Sequence, residues 1–106
     1  MKNYIQPGEK ITVPAPHDVA SGGGVLVGAM FGVAATAAKA GDDVTIVRKG
    51  VFVLNKLAAQ AWEVGVKVYW NNTAKEVTTV ASGNTQIGFA AVAAADPSAN
   101  GTVALI

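Results

Sequence analysis

Cysteine is absent from this chain of 106 residues, and charged residues are scarce. Without cysteine the chain has no disulfides, no thiolate metal ligands and no cysteine nucleophile. Charged residues make up 14% of the sequence, and eight basic residues against seven acidic ones leave a net charge of +1. Because no basic stripe is present, binding of nucleic acid through phosphate neutralisation is not expected. A surface so poor in charge favours a protein that works against a partner.

The sequence also lacks the pattern of a signal peptide or of a membrane-spanning helix. Residues 1–10 contain no apolar segment of the kind that a signal peptide needs. Residues 19–38 carry no charge and are long enough to cross a bilayer, but five of them are glycine. Each glycine disfavours a helix by about 1 kcal/mol. We therefore predict no membrane partner.

Short apolar runs separated by turn residues dominate what is present. Residues 44–47 and 66–70 alternate between apolar and polar side chains, and residues 51–54 are apolar on both faces. About eight to ten such runs recur at spacings near ten residues, which is typical of an all-β sandwich or barrel. We predict one β domain over residues 1–106, with at most one short helix near residues 55–63, where Asn55 would be the N-cap.

Alanine makes two segments ambiguous. Residues 34–40 and 90–95 are rich in alanine, which has a high helix propensity. The second run continues an apolar, glycine-containing segment and ends at Asp96-Pro97. We predict that both runs are strands that pack closely through small side chains, and they are not an obvious repeat of each other.

The stretch SGGGVLVG at residues 21–28 has the glycine content of a nucleotide-binding loop. A phosphate-binding P-loop places lysine and then serine or threonine after its last glycine, whereas Gly28 precedes Ala29-Met30. The stretch also fails to match the dinucleotide-binding fingerprint, in which the glycines follow a strand. Here the glycines precede the expected strand, and Gly22, Gly24 and Gly28 are spaced one residue too widely. We predict that residues 22–24 form a loop that leads into a strand at residues 25–27, with a turn at Gly28.

Candidate catalytic residues are few. The one histidine, His17, precedes Asp18 in a proline-rich loop, but adjacent side chains in an extended chain point in opposite directions. A catalytic metal site needs about three protein ligands, and the remaining carboxylates are scattered. No serine lies in a nucleophile motif. We predict no catalytic residues, no metal and no cofactor, and we do not expect an enzyme.

Aromatic side chains are the candidate contact residues. Trp70 shares one side of its run with Val66 and Val68 and is expected in the core. Trp62 is either a core residue or a partner contact. In an alternative function, a small carbohydrate- or receptor-binding β-module, Trp62, Tyr69 and Trp70 would form a stacking platform. Tyr4 is a further aromatic candidate, in the N-terminal segment described next.

The N-terminal segment, residues 1–8, is apolar at Tyr4 and Ile5. Such a segment would be an extended arm that docks on a neighbouring subunit, or an edge strand of the same domain. We name Tyr4, Ile5, Trp62 and Tyr69 as the partner-binding candidates.

Three motifs carry a resemblance to a known family. They are SGGGVLVG at residues 21–28, GVFVL at residues 50–54 followed by Lys56, and VGVKVYWNN at residues 64–72. In their order and spacing the chain resembles, from about Asn3 to Leu105, the capsid cement or decoration proteins of tailed bacteriophages. Asn55 is a departure, since the family pattern leads us to expect proline there.

The resemblance implies a small β-sandwich or barrel on the outer surface of the phage head, made in the bacterial cytoplasm. It implies binding to the major capsid protein, stabilisation of the capsid lattice, and association of the chain into dimers or trimers on the head. The family offers no catalytic residues. The mechanism would rest on contact area.

Overall fold

The computed structural model describes residues 10–106, and these residues contain no helix. They form two antiparallel sheets, so the predicted all-β, sandwich-like class and the predicted number of strands are confirmed. The strands are β1 (Lys10–Pro14), β2 (Gly24–Val27), β3 (Met30–Ala34), β4 (Asp43–Val47), β5 (Gly50–Asn55), β6 (Lys67–Asn71), β7 (Glu76–Thr78), β8 (Thr85–Ala90) and β9 (Asn100–Leu105).

Alternation of side chains explains why these segments are strands with one face in the core. In β4, Val44 and Ile46 are buried while their neighbours are half-exposed or exposed. In β6, Val68 and Trp70 are buried on one side, as their spacing predicts. A strand of this kind is held by the burial of every second side chain, so the period of two fixes which face is turned inward.

The larger sheet curls strongly but remains open. Its order is β5-β9-β8-β6-β7, and its first and last strands approach each other where Lys56 forms an isolated parallel bridge with Val77. The smaller sheet has the order β1-β4-β3-β2. Phe31 and Val33 of β3 pack into the core of the larger sheet, where the Phe31 ring lies 5.0 Å from the Trp70 ring. The two sheets are therefore joined through β3.

The best helix candidate in the sequence is not a helix. β5 continues to Asn55, Lys56 pairs with Val77, and Trp62 forms a backbone bridge with Ala94. The amide of Trp62 donates to the carbonyl of Ala94 at 2.9 Å, and the reverse bond is 3.0 Å. These partners outside the segment satisfy backbone N–H and C=O groups that would have no hydrogen-bond partner at the ends of a two-turn helix.

The uncharged segment over residues 19–38 folds as β2, β3 and their flanking loops. Within residues 10–106, no helix is long and apolar enough to cross a membrane. The alanine-rich runs are mostly connections outside the strands: Ala34 ends β3, Ala90 ends β8, and each run then makes one further backbone bridge. The prediction of strands over the whole of both runs is thus correct only at their starts.

The glycine stretch has the predicted form. Gly22 has φ +84° in the loop, β2 begins at Gly24, and Gly28 has φ +61° in the tight connection to β3. A positive φ of this size is the left-handed region that residues with a Cβ adopt at a cost. The stretch therefore shapes a loop and a hairpin.

Replacing Gly28 with alanine is expected to lower the free energy of unfolding by about 1 kcal/mol. A Cβ at this position would meet no atom within 4 Å, so the cost comes from the backbone conformation alone. Urea denaturation of the full chain measures the effect. Gly28→Asn is the matched control, because asparagine tolerates the left-handed region and should lose less. Equal losses in the two variants would contradict the backbone explanation.

The two sheets repeat one arrangement of strands. The smaller sheet has the order β1-β4-β3-β2, and the larger sheet has the order β5-β9-β8-β6 followed by β7. β1 therefore corresponds to β5, β4 to β9, β3 to β8 and β2 to β6, and β7 is an addition beyond β6. Residues 10–47 and residues 50–105 therefore have the same topology, and we call them the first unit and the second unit.

Contacts of the backbone outside the strands repeat as well. Each matched pair joins the same two points of the topology, so the pairs define equivalent positions in the two units. The matches are Val19–Ala38 with Trp62–Ala94, Gly22–Ala34 with Gly65–Ala90, Ala35–Thr45 with Ala91–Thr102, and Ala15–Asp42 with Lys56–Ala99.

The two alanine runs, which are not an obvious repeat in the sequence, are therefore equivalent in the structure. Residues 34–38 read AATAA and residues 90–94 read AAVAA, and both occupy the same place in their units. Loops of different length and the inserted β7 obscure the repeat in the sequence.

Candidate interaction surface

Of the four predicted contact residues, the structure describes two. Tyr4 and Ile5 lie outside residues 10–106. Tyr69 is half-exposed on β6, on the outer face of the larger sheet. Trp62 is only 2% exposed. Tyr69 therefore remains a candidate contact, whereas the Trp62 side chain is not available at the surface.

Trp62 is held inside the second unit by three kinds of contact. Its indole Nε1 donates to Gln60 Oε1 at 3.0 Å, its ring lies against the backbone of Gly101, and the Lys56 Nζ is 5.7 Å from its ring centroid. An ammonium at that distance from an indole face is stabilised by the ring quadrupole. The burial of the indole corrects the interpretation of Trp62 as a partner contact, and we withdraw it from the proposed set.

An exposed aromatic platform is not formed. Trp70 is 3% exposed, packs against Phe31, and donates from Nε1 to Asn72 Oδ1 at 3.2 Å. With Trp62 also buried, Tyr69 alone of the three rings has an accessible face. The stacking platform on which the carbohydrate-binding alternative depended is thus contradicted by the burial of both tryptophans.

His17 and Asp18 do not act as a base and its orienting partner. The His17 Nδ1 pairs with the backbone carbonyl of Asp18 at 2.8 Å. The Asp18 carboxylate accepts a hydrogen bond from the amide of Ala40 at 2.8 Å, which ties the loop before β2 to the loop after β3. The Asp18 side chain thus links two loops, whereas the His17 ring bonds within its own loop. No group of three metal-ligating side chains occurs within residues 10–106.

A groove of about 680 Å³ runs between the glycine loop and the end of β5, and it includes His17 and Lys75 in its lining. Two amides of the glycine loop are already bonded within the chain. The Gly22 amide donates to the carbonyl of Ala34 at 2.8 Å, and the Gly23 amide donates to Ala20 at 2.9 Å. Because these two donors are already satisfied, they are not available to bind a phosphate.

Exposed apolar side chains concentrate on the outer face of the larger sheet. Val51 and Val53 are 62% and 65% exposed, and Phe89 is 37% exposed. Val51 lies opposite Ala104, which lies opposite Phe89, so these side chains share one face. Val53, two residues from Val51, is on the same face.

Two further exposed valines lie near one end of the larger sheet, in the segments before β6 and after β8. Val64 and Val92 are 69% and 53% exposed. They lie on facing segments, between the Trp62–Ala94 bridge and the hydrogen bond from the Gly65 amide to Ala90. We call Val51, Val53, Val64, Phe89 and Val92 the valine patch.

Within the valine patch, one backbone hydrogen bond connects the neighbourhoods of Val53 and Val92. The amide of Ala91 donates to Thr102, and Thr102 lies opposite Val53. Around Phe89 the directly opposed residue on the neighbouring strand is Lys67. Exposed apolar side chains with so little charge among them offer contact area for a partner.

Sequence reasoning missed the valine patch. One signal was present, because residues 51–54 are apolar on both faces while β5 is an edge strand with one buried side. A strand that is apolar on both faces is expected to be covered on both. What the sequence alone does not give is that the outer side of β5 is exposed.

Comparison of the chain with known proteins identifies one family. A family described as "Phage cement protein" matches residues 5–105 of the chain. Neither a curated protein nor a solved structure matches it.

Proposed function

Since this chain belongs to the phage cement protein family, we propose that it binds the outside of the phage head and stabilises the lattice of the major capsid protein. The family is one of structural proteins of the phage capsid, so a structural, capsid-associated role follows from membership itself. The match over residues 5–105 carries the proposal. The exposed apolar face on the larger sheet supports it, because a cement protein works by contact.

The mechanism that we propose is mechanical. A typical specific interface buries about 800 Å² on each partner. A chain that contacts two neighbouring capsid subunits adds the free energy of its own contacts to the cost of separating them. Many copies on one head act together, so modest contacts give a large total effect. No chemical step is needed.

Three finer features belong to the same proposal. The chain is made in the bacterial cytoplasm, it reaches the assembled head from the outside, and it associates there into dimers or trimers. Light scattering of the purified chain measures self-association before binding. A dimer or trimer in solution would support this part of the proposal, whereas association of monomers on the head would be detected by crosslinking bound chains.

Co-sedimentation with empty, expanded heads of the phage that encodes this chain tests the proposed function. Heads assembled without the chain should bind it to saturation, because the sites are repeated over the lattice. Heads that already carry the chain are the control and should take up little more. Loaded heads should also withstand a higher temperature before they disassemble. Failure of the chain to sediment with undecorated heads would overturn the proposal.

A further inference from the structure

The internal repeat supplies a control for the valine patch. Where two units share one backbone, a residue required by the fold should have the same character in both units. A residue that is apolar and exposed in one unit only is not required by the fold. Each member of the patch lies in the second unit and has an equivalent position in the first.

Val51 and Val53 of β5 are the first two cases. β5 pairs with β9 in the same register as β1 pairs with β4, so Val51 corresponds to Lys10 and Val53 to Thr12. Lys10 and Thr12 are exposed, as their polar side chains lead one to expect. The strand therefore folds with polar residues at both positions, and the exposed valines serve something other than the strand.

Val64 and Val92 repeat this result outside the strands. The matched hydrogen bonds of Gly22 and Gly65 make Val64 the equivalent of Ser21. The matched hydrogen bonds of Ala35 and Ala91 make Val92 the equivalent of Thr36. Again the first unit has a polar residue, and the second unit has an exposed valine.

Phe89 shows what such a face can do. Its equivalent in the first unit is Val33, since each precedes the alanine that ends its strand. Val33 is 4% exposed, because the outer face of the smaller sheet at β3 is buried in the core of the larger sheet. At this position the first unit buries an apolar side chain against the other sheet, whereas the second unit leaves its phenylalanine partly exposed.

We propose that the valine patch is the surface through which this chain contacts the capsid lattice, and that it fits an apolar, weakly charged face of the capsid subunit. The inference rests on the proposed function. The partner is assigned to the lattice because a chain of a cement protein family must bury a surface there. The patch is apolar and exposed, whereas four of the five equivalent positions in the first unit are polar and exposed. Lys67 opposite Phe89 is the charge that the partner surface must accommodate.

A variant that carries the first-unit residues tests the inference. It combines Val51→Lys, Val53→Thr, Val64→Ser and Val92→Thr in the full chain. Because the first unit folds with these residues, the variant should unfold at nearly the temperature of the parent chain. Its affinity for empty heads should fall by about tenfold or more, since loss of several central apolar contacts removes most of the binding free energy of an interface.

A single pair of substitutions provides the matched control. Val53→Thr lies in the patch, and Val80→Thr lies outside it at a valine that is 50% exposed. The chemical change is the same, so the first should weaken binding to heads and the second should not. Circular dichroism of each variant confirms that the chain remains folded.

The outcomes separate the two proposals. If the parent chain binds heads and the fourfold variant binds equally well, this inference is overturned and the proposed function stands. If the parent chain does not bind heads, the proposed function fails and the inference fails with it. If the variant binds heads normally but loses self-association in light scattering, the patch is a contact between copies of the chain, which also overturns the inference.

Discussion

Replacing Trp62 with valine is expected to lower the free energy of unfolding by about 3 kcal/mol, because the indole fills the core of the second unit. The ring is 2% exposed, lies against Gly101, and donates a hydrogen bond to Gln60. Its removal leaves a cavity and takes away one of the two donors to Gln60 Oε1, the other being the Thr79 amide at 2.9 Å. Urea denaturation of parent and variant measures the loss.

The repeat predicts a compensating substitution for this loss. The first unit has Val19 where the second has Trp62, and Val44 where the second has Gly101. A Cβ at Gly101 would overlap the ring of Trp62, so Gly101→Val alone should also destabilise the chain, by about 1–3 kcal/mol. In the double variant the valine at 101 fills part of the cavity that Trp62→Val leaves.

A double-mutant cycle decides whether the two positions are coupled. We expect the double variant to be more stable than the sum of the single losses predicts, by about 1–2 kcal/mol. Gly28→Ala, which is remote from the ring, serves as the control partner for Trp62→Val and should add independently. If the losses in free energy of unfolding at Trp62 and Gly101 are additive, the valine at 101 does not fill the cavity that Trp62→Val leaves, and the predicted coupling is wrong.

Replacing Lys56 with alanine is the second large loss that we expect, about 2–4 kcal/mol in the free energy of unfolding. Lys56 is 3% exposed, and its Nζ donates to the carbonyls of Leu57 at 2.9 Å, Ser98 at 3.3 Å and Ala58 at 3.5 Å. Loss of the ammonium removes the donor from these carbonyls.

The same ammonium connects two loops of the second unit. Leu57 and Ala58 follow Lys56 in the chain, whereas Ser98 lies in the loop before β9. The Trp62 ring forms another side of the site. Lys56 therefore ties the start of one loop to the end of another, and alanine would both open a cavity and release that tie.

Lys56→Met separates the charge from the packing. Methionine keeps most of the apolar stem and fills irregular space well, but it cannot donate a hydrogen bond. We expect a loss smaller than that of Lys56→Ala but still measurable by urea denaturation. A methionine variant as stable as the parent would show that the ammonium contributes nothing, since apolar replacement of a buried polar group is sometimes neutral.

Much of the fold could be predicted from single runs of the sequence. The alternation in residues 44–47 and 66–70 gives both the strands and their buried faces, because burial of alternate side chains is a local property. The glycines at 22 and 28 give the loop and the hairpin for the same local reason. The absence of catalytic and nucleotide-binding patterns follows from spacing alone.

Other features depend on partners that are distant in the sequence. The segment over residues 55–63 has a capping residue and helix-forming residues, yet its backbone bonds to Val77 and Ala94 decide its conformation. Trp62 is buried because Gly101 leaves room for its ring. Helix propensity describes each residue by itself, so it does not include the space for a side chain that a distant strand provides.

The candidate surface belongs to this second group. Alternation places Val51 and Val53 on one face of β5, but it does not say whether a second layer covers that face. The repeat was equally hidden, because equivalence is defined by hydrogen bonds of the backbone, and the loops that lead to Val19 and Trp62 differ in length. Residue identity survives mainly in the AATAA and AAVAA segments.

The repeat also bears on how a chain of this kind can change over generations. In a pair of identical subunits, every substitution appears twice, so a tryptophan that suits one core must be accommodated in both. Joining the units in one polypeptide removes that constraint, and Val19 and Trp62 occupy the same position with different sizes. The first unit is then free to keep a polar exterior while the second acquires valines. Covalent fusion thus allows one structural plan to give a molecule two different sides.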